Sequence, residues 1–210
     1  MKQLAIVGAS GHGKVVAELA ELCGFEVVFY DDAYPQKKKL EHWPVTGSFS
    51  DLLKSKDQCQ GAIVAIGDNK TRLDLSEKLM ALGFNLSALI HPRAVISQYA
   101  AIGEGTVIFA NVVVNAFAKI GRYCIINTAA VVEHDCKIGD AVHLSPNVAL
   151  AGGATINHLS WLGIGSVTKQ LVEVGSNVLI GANSTVIKNI PSNVTAFGSP
   201  AEVFNKKHSK

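Results

Sequence analysis

Cysteine is scarce in this chain, and its four copies never pair by spacing. Cys23, Cys59, Cys124 and Cys136 make no CxxC, and no HxxxH or mixed Cys/His cluster has zinc spacing. A dithiol redox motif is thereby excluded and no metal is expected. Charge of one sign is missing too: 19 Lys and Arg face 17 Asp and Glu, a formal net charge of +2. Composition therefore makes no case for nucleic acid or an acidic membrane surface. The one dense basic run, Lys37-Lys38-Lys39, reads as a solvated loop. Long apolar runs are absent as well. None approaches the ~20 residues of a membrane span, and Leu4-Ala5-Ile6-Val7 stops at Gly8, too early for a signal peptide. The expectation is a soluble, reduced, cytoplasmic protein of one or two domains.

What is present is a repeat. Stepping by six from Ile90 meets Ile96, Ile102, Ile108, Val114, Ile120, Ile126, Val132, Ile138, Leu144, Leu150, Ile156, Leu162, Thr168, Val174, Ile180 and Val186. Only Thr168 is not aliphatic. Four residues after each stands a small or aliphatic side chain, among them Cys124 and Cys136, which read as core thiols. A period of six suits neither a helix at 3.6 nor a simple strand at 2.0. It is the hexapeptide repeat of a parallel β-helix, whose coils bury their faces by stacking.

Residues 1–88 alternate differently. Strand Leu4–Val7 runs into Gly8-Ala9-Ser10-Gly11-His12-Gly13, then a helix from Lys14 to Cys23 with Gly24 as its stop. Strand Glu26–Tyr30 ends in Asp31-Asp32. A helix capped by Ser50 runs to about Lys56, a strand covers Gly61–Gly67, a helix Thr71–Leu82, and a last strand Asn85–Leu89. Such alternation implies a small parallel α/β sheet. The glycines fall as GxxGxG rather than the dinucleotide GxGxxG. Still, a glycine turn entering a helix presents backbone N–H groups to an anion. Ser10-Gly11-His12, Asp31-Asp32 and Gly67-Asp68-Asn69 should meet at the carboxyl edge of the sheet, where ligands of open α/β sheets bind. There the acidic pair could accept hydrogen bonds from a ribose or uracil while the turn receives a phosphate.

If three hexapeptides make one triangular coil, as in the known fold, residues 18 apart stack. Ala116, His134, Gly152 and Gln170 then form one column; Pro146, Ile164 and Ala182 form another. His134 lies in Val132-Glu133-His134-Asp135-Cys136, flanked by carboxylates that can fix its tautomer for general-base work. One rung away, Gly152 offers a backbone N–H that a ligand can approach closely. His91 and His158 read as structural.

With these residues in place, the chain resembles the two-domain left-handed β-helix acyltransferases of bacterial surface-sugar biosynthesis. The likeness is to UDP-amino-sugar N-acetyltransferases of the UDP-N-acetylbacillosamine type, with sialic-acid O-acetyltransferases as relatives. It rests on Gly8–Gly13, Asp31-Asp32, Ala65-Ile66-Gly67, Asn127-Thr128, Glu133–Cys136 and Gly198-Ser199-Pro200-Ala201. It implies an α/β Rossmann-like nucleotide-sugar domain (1–88), a left-handed parallel β-helix (89–190) and a C-terminal tail (191–210). It further implies a homotrimer, with acetyl-CoA lying between neighbouring β-helices. His134 becomes the general base, and Asp135 the acid that raises its basicity; relatives often carry Glu there, so Glu133 stands as the alternative partner. His143 would contact the thioester or coenzyme, Gly152 the acyl oxygen, and Ile164 and Ala182 the coenzyme. Ser10, Gly11, His12, Asp31, Asp32 and Gly67 match the nucleotide-sugar site. The expected activity is acetylation of a sugar 4-amino group. Sugar O-acetylation, or a non-enzymatic nucleotide-binding scaffold, are the alternatives.

Overall fold

The computed structural model describes residues 2–54 and 59–204. Strand β1 (Lys2–Val7) leads into helix α1 (Gly11–Leu22) and strand β2 (Phe25–Tyr30). Then come β3 (Lys39–Leu40), β4 (Trp43–Gly47), α2 (Phe49–Lys54), β5 (Gly61–Val64) and α3 (Asn69–Ala81). The sheet order is β3-β4-β2-β1-β5, parallel except for the β3–β4 hairpin. Because β2 and β5 flank β1, the strand order reverses at β1. Open α/β sheets place their ligand crevice at the carboxyl edge beside such a reversal.

Several sequence expectations are corrected. Helix α1 begins at Gly11, so Gly11-His12-Gly13 is its first turn and not a loop before it. The cap of α2 is Ser48, which exchanges hydrogen bonds with Asp51, and Ser50 is inside the helix. Residues 55 and 56 lie outside the described residues. Pro44 and Gly47 mask the alternation of β4 in the sequence, although its burial is strictly two-periodic. Asn85–Ala88 forms no strand: Asn85 and Leu86 lend single carbonyls to Ala62 and Gly105, and Leu89 already belongs to the first coil. Nor is 191–204 merely a tail. Strand β23 (Thr195–Phe197) adds to the last coil and β24 (Glu202–Val203) folds back on it; residues 205–210 lie outside the described residues.

From β6 (Leu89–Ile90) to β22 (Thr185–Val186) the chain forms two-residue strands, and those from β6 to β19 (Val167–Thr168) each pair in parallel with the strand 18 residues on, as Val131 with Ala149 and Ile125 with His143. The result is a left-handed β-helix with an eight-stranded, a six-stranded and a five-stranded face. Its interior is the aliphatic repeat plus the small residues, Cys124 and Cys136 included, all fully buried in the middle coils. From Gly105 (φ +65) to Asn183 (φ +52) each corner carries one residue in the left-handed region, at every sixth position. In a segment rich in Val and Ile, none of these positions is β-branched. Branched side chains are the ones this conformation tolerates least. Thr168, the exception to the repeat, uses its hydroxyl: Oγ1 accepts from Ala151 N at 3.1 Å.

The α/β unit docks on the eight-stranded face. Leu89, Val107, Phe109 and Ile125 point outward from that face and join one buried cluster with Leu4, Ile6, Val16 and Phe29. Phe84, Leu86 and Leu79 close over Tyr123 alongside.

Candidate active site

Stacking places the candidate residues at three separate locations. The first is the corner between the six- and five-stranded faces. Asp135 N donates to Ala116 O (3.1 Å), Gly153 N to His134 O (2.9 Å) and Leu171 N to Gly152 O (3.0 Å), so Ala116, His134, Gly152 and Gln170 form one column. His134 and Asp135 are both exposed, and the imidazole Nδ1 lies 2.8 Å from Asp135 Oδ2. Asp135 occupies the left-handed corner position (φ +61), which brings its short carboxylate beside its neighbour's ring. Glu133 turns instead to the backbone, accepting from His134 N at 3.3 Å. With Nδ1–H donated to a carboxylate, Nε2 carries the free lone pair. That atom lies over Gly152: a Cβ there would sit 2.5 Å from it. Among the described residues the Gly152 N–H has no protein acceptor.

The second location is the corner between the eight- and six-stranded faces. Gly165 N donates to Pro146 O and Asn183 N to Ile164 O, so Pro146, Ile164 and Ala182 stack as a second column with Ile164 exposed. The third lies between the eight-stranded face and the carboxyl edge of the α/β sheet. His143 projects from that face, so it stands apart from the His134 corner. It is 8% exposed, its ring stacks on Trp161 (5.0 Å), and Nε2 is 3.5 Å from Asn127 Nδ2. Across the junction, His12 sets its ring edge-on to Phe109. His12 Nε2 and His143 Nδ1 are buried without a hydrogen-bond partner. Burial, reinforced by the Arg72 charge, lowers His12 to about 4 and His143 to about 3. Both imidazoles are therefore neutral near pH 7.

The carboxyl edge sorts the glycines and acids into supporting and open positions. A Cβ on Gly13 would meet Gly8 O at 2.4 Å, and Gly8 has φ +103, so both serve the strand-to-helix crossing. Gly11 and Gly67 differ: a Cβ on either meets nothing within 4 Å, which leaves open space above the crevice. Ser10 stands at the N-cap of α1 with no side-chain capping bond, and no acid lies in the first turn. Anion-binding N–H groups are thus uncovered. Asp31 accepts from Ala9 N (2.6 Å) and Ala33 N (2.9 Å), which locks the turn, whereas Asp32 uses one oxygen on Phe49 N. Lys37 corrects the reading of its run as solvent-facing, because its ammonium donates to Ala9 O beside the same turn. No sequence pattern distinguishes it from Lys38 and Lys39. Among the described residues, no cluster of His, Cys, Asp and Glu could hold a metal.

Residues 3–79 match the PglD N-terminal domain family. A GDP-perosamine N-acetyltransferase of Escherichia coli is 30% identical over 213 residues, 96% of each chain. The chain belongs to the hexapeptide-repeat sugar N-acetyltransferases. Two solved structures cover it nearly end to end. PerB of Caulobacter crescentus, in complex with CoA and GDP-perosamine, superposes with a TM-score of 0.93 at 38% identity, over 98% of each chain. The acetyltransferase domain of PglB from Neisseria gonorrhoeae, in complex with acetyl coenzyme A, gives 0.93 at 40% identity, over 97% of this chain and 99% of that one. A UDP-N-acetylbacillosamine N-acetyltransferase of Bacillus subtilis is 38% identical over 114 residues, 52% of each chain.

Proposed function

We propose that this sugar N-acetyltransferase moves the acetyl group of acetyl-CoA to the 4-amino group of a UDP-linked 4-amino-4,6-dideoxy-N-acetylhexosamine. The observation that carries the proposal is the His134 corner: Asp135 holds Nδ1, and Nε2 lies free against a glycine whose N–H is unclaimed. The amine nitrogen attacks the thioester carbonyl while His134 Nε2 takes a proton from it. The Gly152 N–H donates to the oxyanion of the tetrahedral intermediate, a contribution worth about 100- to 1000-fold in enzymes that lose such a donor. Collapse breaks the C–S bond, and the coenzyme thiolate leaves and is protonated. Amide and free thiol are the products.

The uncovered first turn of α1, with Lys37 beside it, receives the diphosphate, and Asp32 accepts from the ribose. Ile164 and Ala182 line the coenzyme's path, and His143, kept neutral, hydrogen-bonds near the thioester. These contacts need a homotrimer. His134 lies on the prism edge opposite the face that carries the nucleotide unit, so the acceptor must be presented by a neighbouring copy. The six-stranded face suits that packing, since its outward column runs Val95, Val113, Val131, Ala149 and Val167.

A GDP-linked acceptor is the second reading, favoured by the GDP-perosamine enzymes that match along nearly the whole chain. Thiol release from acetyl-CoA, measured with UDP- and GDP-4-amino sugars, UDP-hexoses and sialic acids, decides. Turnover confined to a UDP-4-amino sugar supports the proposal; turnover only with the GDP sugar replaces the base. Activity on hydroxyls alone, or no activity, overturns it.

A further inference from the structure

Arg72 is the largest fully buried side chain among the described residues, and no carboxylate touches it. Burial pulls its guanidinium down to about 10. All five of its N–H groups are nonetheless used. Nη1 donates to the carbonyls of Ile66 (2.9 Å) and Gly67 (3.1 Å), at the end of the nucleotide-binding sheet. Nε donates to Tyr123 O (2.8 Å) and Nη2 to Ala141 O (3.0 Å), both on the β-helix. The fifth goes to Asn69 Oδ1 at 2.7 Å, and Asn69 Nδ2 reaches Leu159 O at 2.8 Å.

Tyr123, Ala141 and Leu159 are one corner of three successive coils, each in the left-handed conformation. Stacked coils repeat every ~4.8 Å, and three residues of an α-helix rise about 4.5 Å. Asn69 and Arg72, three apart on α3, are therefore in step with the coils they grip. A lysine, with one compact ammonium, cannot make this fork.

We propose that Arg72, with Asn69, is a positioning residue for acetyl transfer. Its guanidinium fixes the acceptor-holding strand end at Ile66-Gly67 against its own β-helix, and through that β-helix against the neighbouring copy whose His134 corner the acceptor meets. The idea rests on the acetyl-transfer reading above. If one guanidinium ties the acceptor edge to the coils, its loss lets the bound amine drift while nucleotide binding, made by α1 and Asp32, persists.

The test compares Arg72→Lys and Asn69→Ala with the wild-type protein. It uses kcat and KM with the preferred acceptor, UDP or GDP affinity by calorimetry, and hydrogen exchange. Misplacement of about 1 Å can lower rates about 100-fold, so Arg72→Lys is expected to lose about 10- to 100-fold in kcat. Nucleotide affinity should fall much less than kcat, since no hydrogen bond joins Arg72 to the first turn of α1 or to Asp32, and amide protection should fall at residues 66–72. Asn69→Ala should shift kcat in the same direction by less, and it decides the matter if Arg72→Lys does not fold. A folded variant with unchanged kcat, or one whose nucleotide affinity falls in parallel with kcat, overturns the proposal. If the wild-type protein acetylates no acceptor, the functional reading fails instead. Unchanged protection at 66–72 in Arg72→Lys would then reject the latch on its own.

Discussion

Two carboxylates flank His134 in the sequence, yet only one can serve the ring. Adjacent side chains on an extended strand point apart. Because Asp135 sits at a corner in the left-handed conformation, it folds back to meet Nδ1 at 2.8 Å. His134→Ala is expected to lower kcat by about 100-fold or more, the usual scale for a positioned base, with acetyl-CoA KM little changed. Asp135→Asn should shift the tautomer and cost about 10- to 100-fold in kcat, while Glu133→Gln should be nearly silent. Steady-state rates of the three variants test the assignment, and equal losses at Glu133 and Asp135 would reject it. The His134–Gly152 contact was legible in the sequence because three repeats of six bring positions 18 apart into register. The partner of the histidine was not, since corner dihedrals do not show in the period. Thr168 was legible as an exception without a reason. Its hydroxyl receives the N–H of Ala151, the residue before Gly152. Thr168→Val restores the aliphatic repeat but takes the acceptor from the Ala151 N–H, and should leave the melting temperature unchanged or lower it. It should also lower kcat about tenfold through displacement of the Gly152 N–H, an effect within the range of small misplacements. Unchanged kcat would reduce the hydroxyl to filler.

Among the elements, α1 and the eight-stranded face carry the most legible titration. His12 lies in the first turn of one and His143 on the other, and their junction holds both rings neutral, at about 4 and about 3. In the unfolded chain each returns to about 6.5. Between roughly pH 3 and 6.5 the unfolded state thus binds more protons than the folded one, and stability rises with pH. It is fully present above 6.5 and is lost as the pH falls through that window, by at most about 1.4 kcal/mol per pH unit for each imidazole. Unfolding midpoints at pH 7, 5.5 and 4.5 should decline steeply for the wild-type protein and less steeply for His143→Leu. Parallel declines would show that His143 is not protonated on unfolding. The sequence could not announce this pairing, because residues 12 and 143 meet only through the docking of two units that each look complete. Their own strands and helices were readable from composition and turns. The surface that joins them was hidden in the outward positions of the repeat, where Val107 and Ile125 break its polar habit.

At the scale of the whole molecule, one chain holds all the groups assigned to the proposed reaction, yet places them apart. The nucleotide unit covers one face of the prism, while His134 stands on the edge opposite. A cyclic trimer resolves this if each acceptor edge meets the His134 corner of its neighbour. Val131→Asp, which places a charge in the apolar column of the six-stranded face, should reduce the native mass to that of a monomer and abolish turnover. Mixed trimers test the shared site more directly. His134→Ala removes the proposed base, and Gly11→Trp fills the open space at the proposed acceptor edge, so each variant alone should be nearly inactive. Unfolded and refolded together in equal amounts, they create interfaces in which an intact base from one copy faces an intact edge from another. With independent assortment around a ring, about a quarter of the sites are restored. A site built within one chain would regain nothing, since every chain carries one defect. Recovery near a quarter of wild-type turnover assigns base and acceptor edge to different copies. Its absence, in trimers shown to be mixed, would return the reaction to a single chain and require the nucleotide unit to swing around the prism.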